Sequence, residues 1–235
     1  MRSARMPAVR ALAHVCAKMT YLMNKRIVLD VLTALRQATA QQHAELDSST
    51  PMALPEPDLR AYHDHLRLLE AWLAAIQLWL DAAGEDAGEH LPAGLARRDY
   101  LGLIRADLAH PALAGMPSLA LRQGMDWPPL AHSAAYRGGV SYVIEGSQLG
   151  GAVLYKRLAR QLAPHPLAYL RGEGSPAPRW RCFIAGLRAA VTTPQQIDQA
   201  CRGARQAFDS LIALLEQLGR LEPLSSSSAE PADRL

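Results

Sequence analysis

Leu59, Tyr62, Leu66, Leu69, Leu73, Ile76 and Leu80 recur at spacings of three and four residues, the repeat of one helix face, behind Pro57 and a capping Asp58. A stripe this regular dictates a long amphipathic helix, and such a helix is stable only when other elements cover its apolar face. The rest of the chain supplies candidates. Val28, Leu32, Leu35, Thr39 and Leu46 mark a helix over 27–46, and Ile197, Cys201, Ala204, Phe208, Leu211, Leu215 and Leu218 mark another behind Thr193-Pro194. Residues 98–110 read as a shorter helix stopped by Pro111, and 180–190 as a further one after a proline-rich irregular crossing over 163–178. Residues 84–94 read as a Gly/acidic loop. Residues 131–162 read as a long helix expected to be broken or bent by Gly138, Gly139, Gly146, Gly150 and Gly151. With 41 Ala and 37 Leu against 2 Phe, composition favours helices over sheets. The expectation is an all-α, multihelical bundle over 23–221.

The formal charge of +3 suggests a nucleic-acid partner until it is located. Residues 1–26 hold six bases and no acid, leaving 19 bases against 22 acids, net −3, in the remainder. No recognition helix follows that arm, so a DNA-binding role is set aside. The basic segment 1–22 reads as an organellar-type presequence or as residues preceding a start at Met19 or Met23, and the Ser-rich 222–235 as a disordered tail. No apolar run is long enough to span a membrane. Cys16, Cys182 and Cys201 are odd in number and show no CxxC spacing, which argues against a disulfide framework or a zinc ribbon and fits a cytoplasmic location.

Two features carry chemistry. His43 continues the apolar face of the first helix, three residues before Leu46 and four after Thr39, so spacing makes it buried or half-buried: either a satisfied core histidine or a ligand. Glu145-Gly146-Ser147-Gln148-Leu149-Gly150-Gly151 places three glycines inside a helix at a cost of roughly 3 kcal/mol relative to alanine, which something must offset. Gly146 and Gly150 share a face that another helix or a flat ligand could approach closely. A neutral imidazole on one helix opposite such a face on another suits a haem between them, and Arg36, two turns before His43, suits a propionate. No glutamate is followed by histidine at the spacing of a di-iron carboxylate site. His63 and His65, two apart, point to different faces and read as solvated surface rather than a chelate.

The segment Leu35-Arg36-Gln37-Ala38-Thr39-Ala40-Gln41-Gln42-His43 resembles the proximal helix of haem oxygenases, and Ser141 to Gly151 resembles the distal-helix motif of their bacterial branch, especially the bacteriophytochrome-associated kind. The resemblance runs from about residue 29 to 221. It implies that haem b is both cofactor and substrate, cleaved with O2 and an external electron donor to biliverdin, ferrous iron and carbon monoxide. It also implies a ferredoxin- or flavoprotein-type reductant, a bacteriophytochrome or an iron pool as recipient, and a monomer or weak dimer. A haem carrier of the same fold is the alternative. By resemblance, His43 is the iron ligand, Gly146, Ser147 and Gly150 are the catalytic face, and Arg36, Tyr142, Arg181 and Phe208 line the haem. The mammalian branch has an aspartate that orders a water chain where this sequence has Ser147.

Overall fold

The computed structural model describes residues 30–82, 95–117, 121 and 133–221. Among these there are α-helices and short 3-10 turns and no strand: α1 (Val31–Ser49), α2 (Leu59–Ala82), α3 (Tyr100–Leu108), α4 (Ala134–Leu158), α5 (Ala168–Arg171), α6 (Pro176–Ala190) and α7 (Pro194–Leu221). The all-α expectation holds. The basic arm, the Gly/acidic loop and the Ser-rich tail lie outside the described residues.

The helix starts follow local chemistry. Asp58 Oδ1 accepts from Ala61 N at 2.8 Å, and Thr193 Oγ1 accepts from Gln196 N at 3.2 Å, so both expected caps satisfy first-turn donors. Two expectations need correction. The glycine-bearing helix α4 is not broken at its glycines but runs from Ala134 to Leu158, with Leu187, Ala200, Trp180 and Leu170 against four of the five. The crossing over 163–178 is also more ordered than its prolines suggest: α5 forms within it, and α6 begins at Pro176, a first-turn position where the missing N–H costs nothing.

Helix α7 is the central support. Its most extensive packing is on α4, followed by α1, and α2 also lies against it. Trp72 of α2 is 1% exposed and donates its indole N–H to Ala207 O and Ser210 Oγ of α7, both at 3.0 Å. This satisfies the polar handle of the largest fully buried side chain.

His63 and His65 are buried, at 5% and 8% exposure, and not solvated as their spacing suggested. The reason is that α2 is covered by α3, α7 and two 3-10 turns, so residues off its main stripe also meet protein. His63 Nδ1 lies 2.9 Å from Asp64 Oδ1, whereas His65 Nδ1 has no hydrogen-bond partner. Burial pushes the His65 imidazole down from 6.5 to about 4, so the folded state holds it neutral. Its contribution to stability is therefore complete above pH 6.5 and is lost as pH falls toward 4, because the unfolded chain takes up the proton first. The loss at pH 4.5 is expected to be about 2–3 kcal/mol. Urea midpoints at pH 7 and 4.5 should show that His65→Leu removes this part of the acid sensitivity. An unaltered pH dependence in the variant would contradict it.

Candidate functional site

Helices α1 and α4 both pack on α7, yet they are not among the closely packed helix pairs. Side chains join the two helices: Tyr142 of α4 interacts with Thr39 and Arg36 of α1. Burial raises the Tyr142 phenol, and the Arg36 charge and the Thr39 hydroxyl partly offset this. Thr39 is itself held by donating Oγ1–H to Leu35 O at 2.9 Å.

His43 departs from the buried position that its spacing predicted: its side chain is 63% exposed. Thr39 before it and Leu46 after it on the same face of α1 are both buried, so the covered stripe is interrupted at the histidine and resumes beyond it. The ring is nevertheless oriented. Nδ1 lies 2.9 Å from Asp47 Oδ2 one turn on, and the Phe208 ring of α7 is 6.0 Å away, centre to centre. A carboxylate only accepts, so Nδ1 carries the proton and the lone pair sits on Nε2, leaving that nitrogen able to bind a metal. Asp47 was missed in the sequence, although its i+4 spacing from His43 marked it as a neighbour.

The glycines of α4 divide into two groups. A Cβ on Gly139 would collide with the carbonyl of Ala200, and one on Gly203 of α7 would collide with that of Tyr136, so these two serve the backbone crossing of α4 and α7. Gly138 faces the Leu187 side chain of α6 in the same region. Gly150, in contrast, has nothing within 4 Å of its Cβ position, and Gly146 meets only the Trp180 ring at 3.6 Å. Gly150 thus stands open, whereas Gly146 is covered by a side chain of α6.

Trp180 of α6 covers Gly146 as part of an aromatic group, with its centroid 5.5 Å from Tyr142 and 5.8 Å from Phe183. A buried ion pair fixes its helix. Glu145 accepts from Arg179 Nη2 and Nε at 2.6 and 2.7 Å and from the Tyr100 hydroxyl at 3.2 Å, while Arg179 Nη1 donates to Ala96 O at 2.7 Å. Burial, together with the neighbouring Glu145 charge, pushes the Tyr100 phenol up to about 12. Arg179 and Trp180 left no signature in the sequence, since nothing in their spacing distinguishes them from Arg181. Arg181 itself is exposed, and among the described residues no hydrogen bond or ion pair joins it to Arg36, Tyr142 or His43. Ser147 is exposed on α4 and donates Oγ–H to Ile144 O at 2.8 Å, with Gln148 Nε2 3.4 Å from its oxygen.

A sequence model of the heme oxygenase family matches residues 130–217, a stretch that contains the glycine helix but not His43. A heme oxygenase of Xanthomonas campestris pv. campestris is 30% identical over 177 residues, covering 74% of this chain and 92% of the relative. The chain belongs to the haem oxygenase family. Heme oxygenase PigA of Pseudomonas aeruginosa is 30% identical over 135 residues, or 53% of this chain and 61% of PigA. The fold matches a crystal structure of the NO- and CO-bound heme oxygenase from Neisseria meningitidis with a TM-score of 0.59 and 24% identity, covering 81% of this chain and 93% of that one. This haem oxygenase is an enzyme of bacterial type, and no helix among its described residues is long and apolar enough to cross a membrane.

Proposed function

We propose that this haem oxygenase binds haem between α1 and α4, with His43 Nε2 as the iron ligand, and degrades it to biliverdin. One observation supports the placement: a histidine oriented by Asp47 and a glycine, Gly150, with open space at its Cβ position stand on two helices that share α7 as a support. Arg36 and the Tyr142 hydroxyl supply the charge and the donor a propionate needs. Arg181, exposed on α6, is the cation for the other propionate. Trp180 and Phe208 supply apolar surface at Gly146 and beside His43.

Haem, when bound, supplies the iron that activates dioxygen and the macrocycle that is oxidised. The protein's own contribution is mainly orientation. The Asp47 carboxylate keeps the His43 proton on Nδ1, which also strengthens Nε2 as a donor. Gly150 would let the haem approach the α4 backbone, and the Trp180 ring over Gly146 would bound the site beside it. Ser147 and Gln148, between these two glycines in sequence, offer a hydroxyl and an amide to place water, as no carboxylate follows Gly146. External electrons come from a ferredoxin- or flavoprotein-type donor in the cytoplasm, and the reaction serves either bilin supply to a bacteriophytochrome or the release of iron. The family match does not favour the carrier alternative.

Anaerobic addition of haem to the purified chain should give a histidine-ligated spectrum that saturates at a single haem per chain. Reductant and air should then bleach the Soret band as a red biliverdin absorption grows. A stable oxygenated complex without bleaching would exclude turnover.

A further inference from the structure

Asp107 of α3 is 1% exposed and is surrounded by donors: Tyr62 OH at 2.6 Å, Tyr169 N at 2.8 Å and Ala168 N at 2.9 Å. Its backbone carbonyl accepts from His165 Nε2 at 3.1 Å, an orientation fixed because His165 Nδ1 accepts from Leu167 N at 3.0 Å. The carboxylate thereby secures the start of α5, a helix of only four residues that could not hold itself together. Leu167, just before it, has a φ of 50°, a left-handed conformation that a leucine adopts only where its surroundings compel it. A buried carboxylate, a tyrosine, a histidine and a strained leucine thus all fix one short segment.

That segment aims the Tyr169 phenol at the distal helix. Tyr169 is 4% exposed, and its hydroxyl accepts from Gln148 Nε2 at 3.2 Å and interacts with the Ser147 side chain. Helix α5 lies directly on α4 here, since a Cβ on Gly151 would meet Leu170 at 3.8 Å. Without the phenol, the Ser147 oxygen loses one of its partners while its bond to the Ile144 carbonyl remains, and the Gln148 amide loses its partner from the protein interior.

We propose that Tyr169 is a positioning residue that locks the Ser147 hydroxyl and the Gln148 amide in one orientation at the border of the Gly146–Gly150 face. The inference rests on the reading that haem lies against that face. Tyr169 acts through Ser147 and Gln148 and does not itself meet haem. Its role is to give order to polar groups that a helix surface alone would leave mobile, where the mammalian branch uses a carboxylate.

The test uses the infrared stretch of carbon monoxide bound to the reduced, haem-loaded full chain, a band that falls in frequency when a donor points at the ligand and broadens when donors take several orientations. Tyr169→Phe should bind haem as tightly as the parent, yet shift the band to higher frequency and broaden it. Turnover should fall about 5- to 10-fold, the effect of one hydrogen bond, with KM unchanged. In a Ser147→Ala, Gln148→Leu background, Tyr169→Phe should add almost nothing, because its intermediaries are gone. If Tyr169→Phe does not fold, Gln148→Leu must produce the same band shift with the tyrosine intact. A parental band and rate in the variant that folds, or an undiminished effect in the double-variant background, overturns the proposal. A parent chain that takes up no haem overturns both it and the haem reading, whereas haem uptake with an unaltered Tyr169→Phe band overturns the positioning role alone.

Discussion

Gly139→Ala is expected to cost 3 kcal/mol or more and to leave little folded protein. The added methyl would fall on the Ala200 carbonyl, and Gly203 makes the reciprocal approach to the Tyr136 carbonyl, so each helix backbone lies against the other at a paired glycine. A side chain in the way could rotate, but a carbonyl within a helix cannot, and α4 and α7 would have to separate along the most extensive interface of the fold. Overpacking that flexible side chains can absorb typically costs about 1–3 kcal/mol, and a backbone collision exceeds that range. Against a total stability of roughly 5–15 kcal/mol, the loss is close to decisive. Gly150→Ala is the informative contrast. Its Cβ has open space, and alanine should stabilise the helix by up to about 1 kcal/mol, while a methyl on the haem face should lower haem affinity and turnover. Urea denaturation of both variants, beside haem titration of the second, separates the two kinds of glycine. Equal losses of stability at 139 and 150 would contradict the division.

The helical architecture was legible because it rests on local rules. The α2 stripe, the Asp58 and Thr193 caps and the proline at the start of α7 depend on residues a few positions apart, and the structure keeps each of them. The glycine segment of α4 stood out too, since three glycines inside one helix are a cost that periodicity alone cannot explain, and it lies within the stretch that the family model matches. What spacing could not reveal was how many neighbours a helix has. That number buried His65 on the second face of α2, and its lack left His43 exposed between the buried Thr39 and Leu46. It also kept α4 unbroken, because the neighbours of Gly139, Gly138 and Gly151 are Ala200, Leu187 and Leu170, all distant in sequence. The Glu145–Arg179 pair and the Asp107–Tyr169 arrangement were hidden for the same reason, since their partners are separated by 34 and 62 residues.

His43→Ala is expected to remove the histidine-ligated haem spectrum and to lower biliverdin formation by at least about 100-fold, while leaving the fold intact. The stability side follows from exposure: a side chain 63% exposed, with an exposed Asp47 as its hydrogen-bond partner, is a surface substitution whose effect stays within about 0.5 kcal/mol. The chemical side follows from the tautomer. With the proton on Nδ1 facing Asp47, Nε2 is a neutral donor, and alanine leaves neither a ligand nor a group of comparable reach on that turn of α1. Asp47→Asn isolates the contribution of the carboxylate. It retains the imidazole but replaces an acceptor carboxylate with an amide that binds the Nδ1 proton less strongly, and a partner of this kind typically changes affinity or activity about 10- to 100-fold. The two variants should therefore form a series, with ligation lost in the first and weakened in the second, and both should match the parent in helical content and urea midpoint. An unchanged haem spectrum in His43→Ala would move the iron ligand to another residue. Loss of ligation together with loss of folding would show that His43 supports the structure, a role its exposure does not suggest.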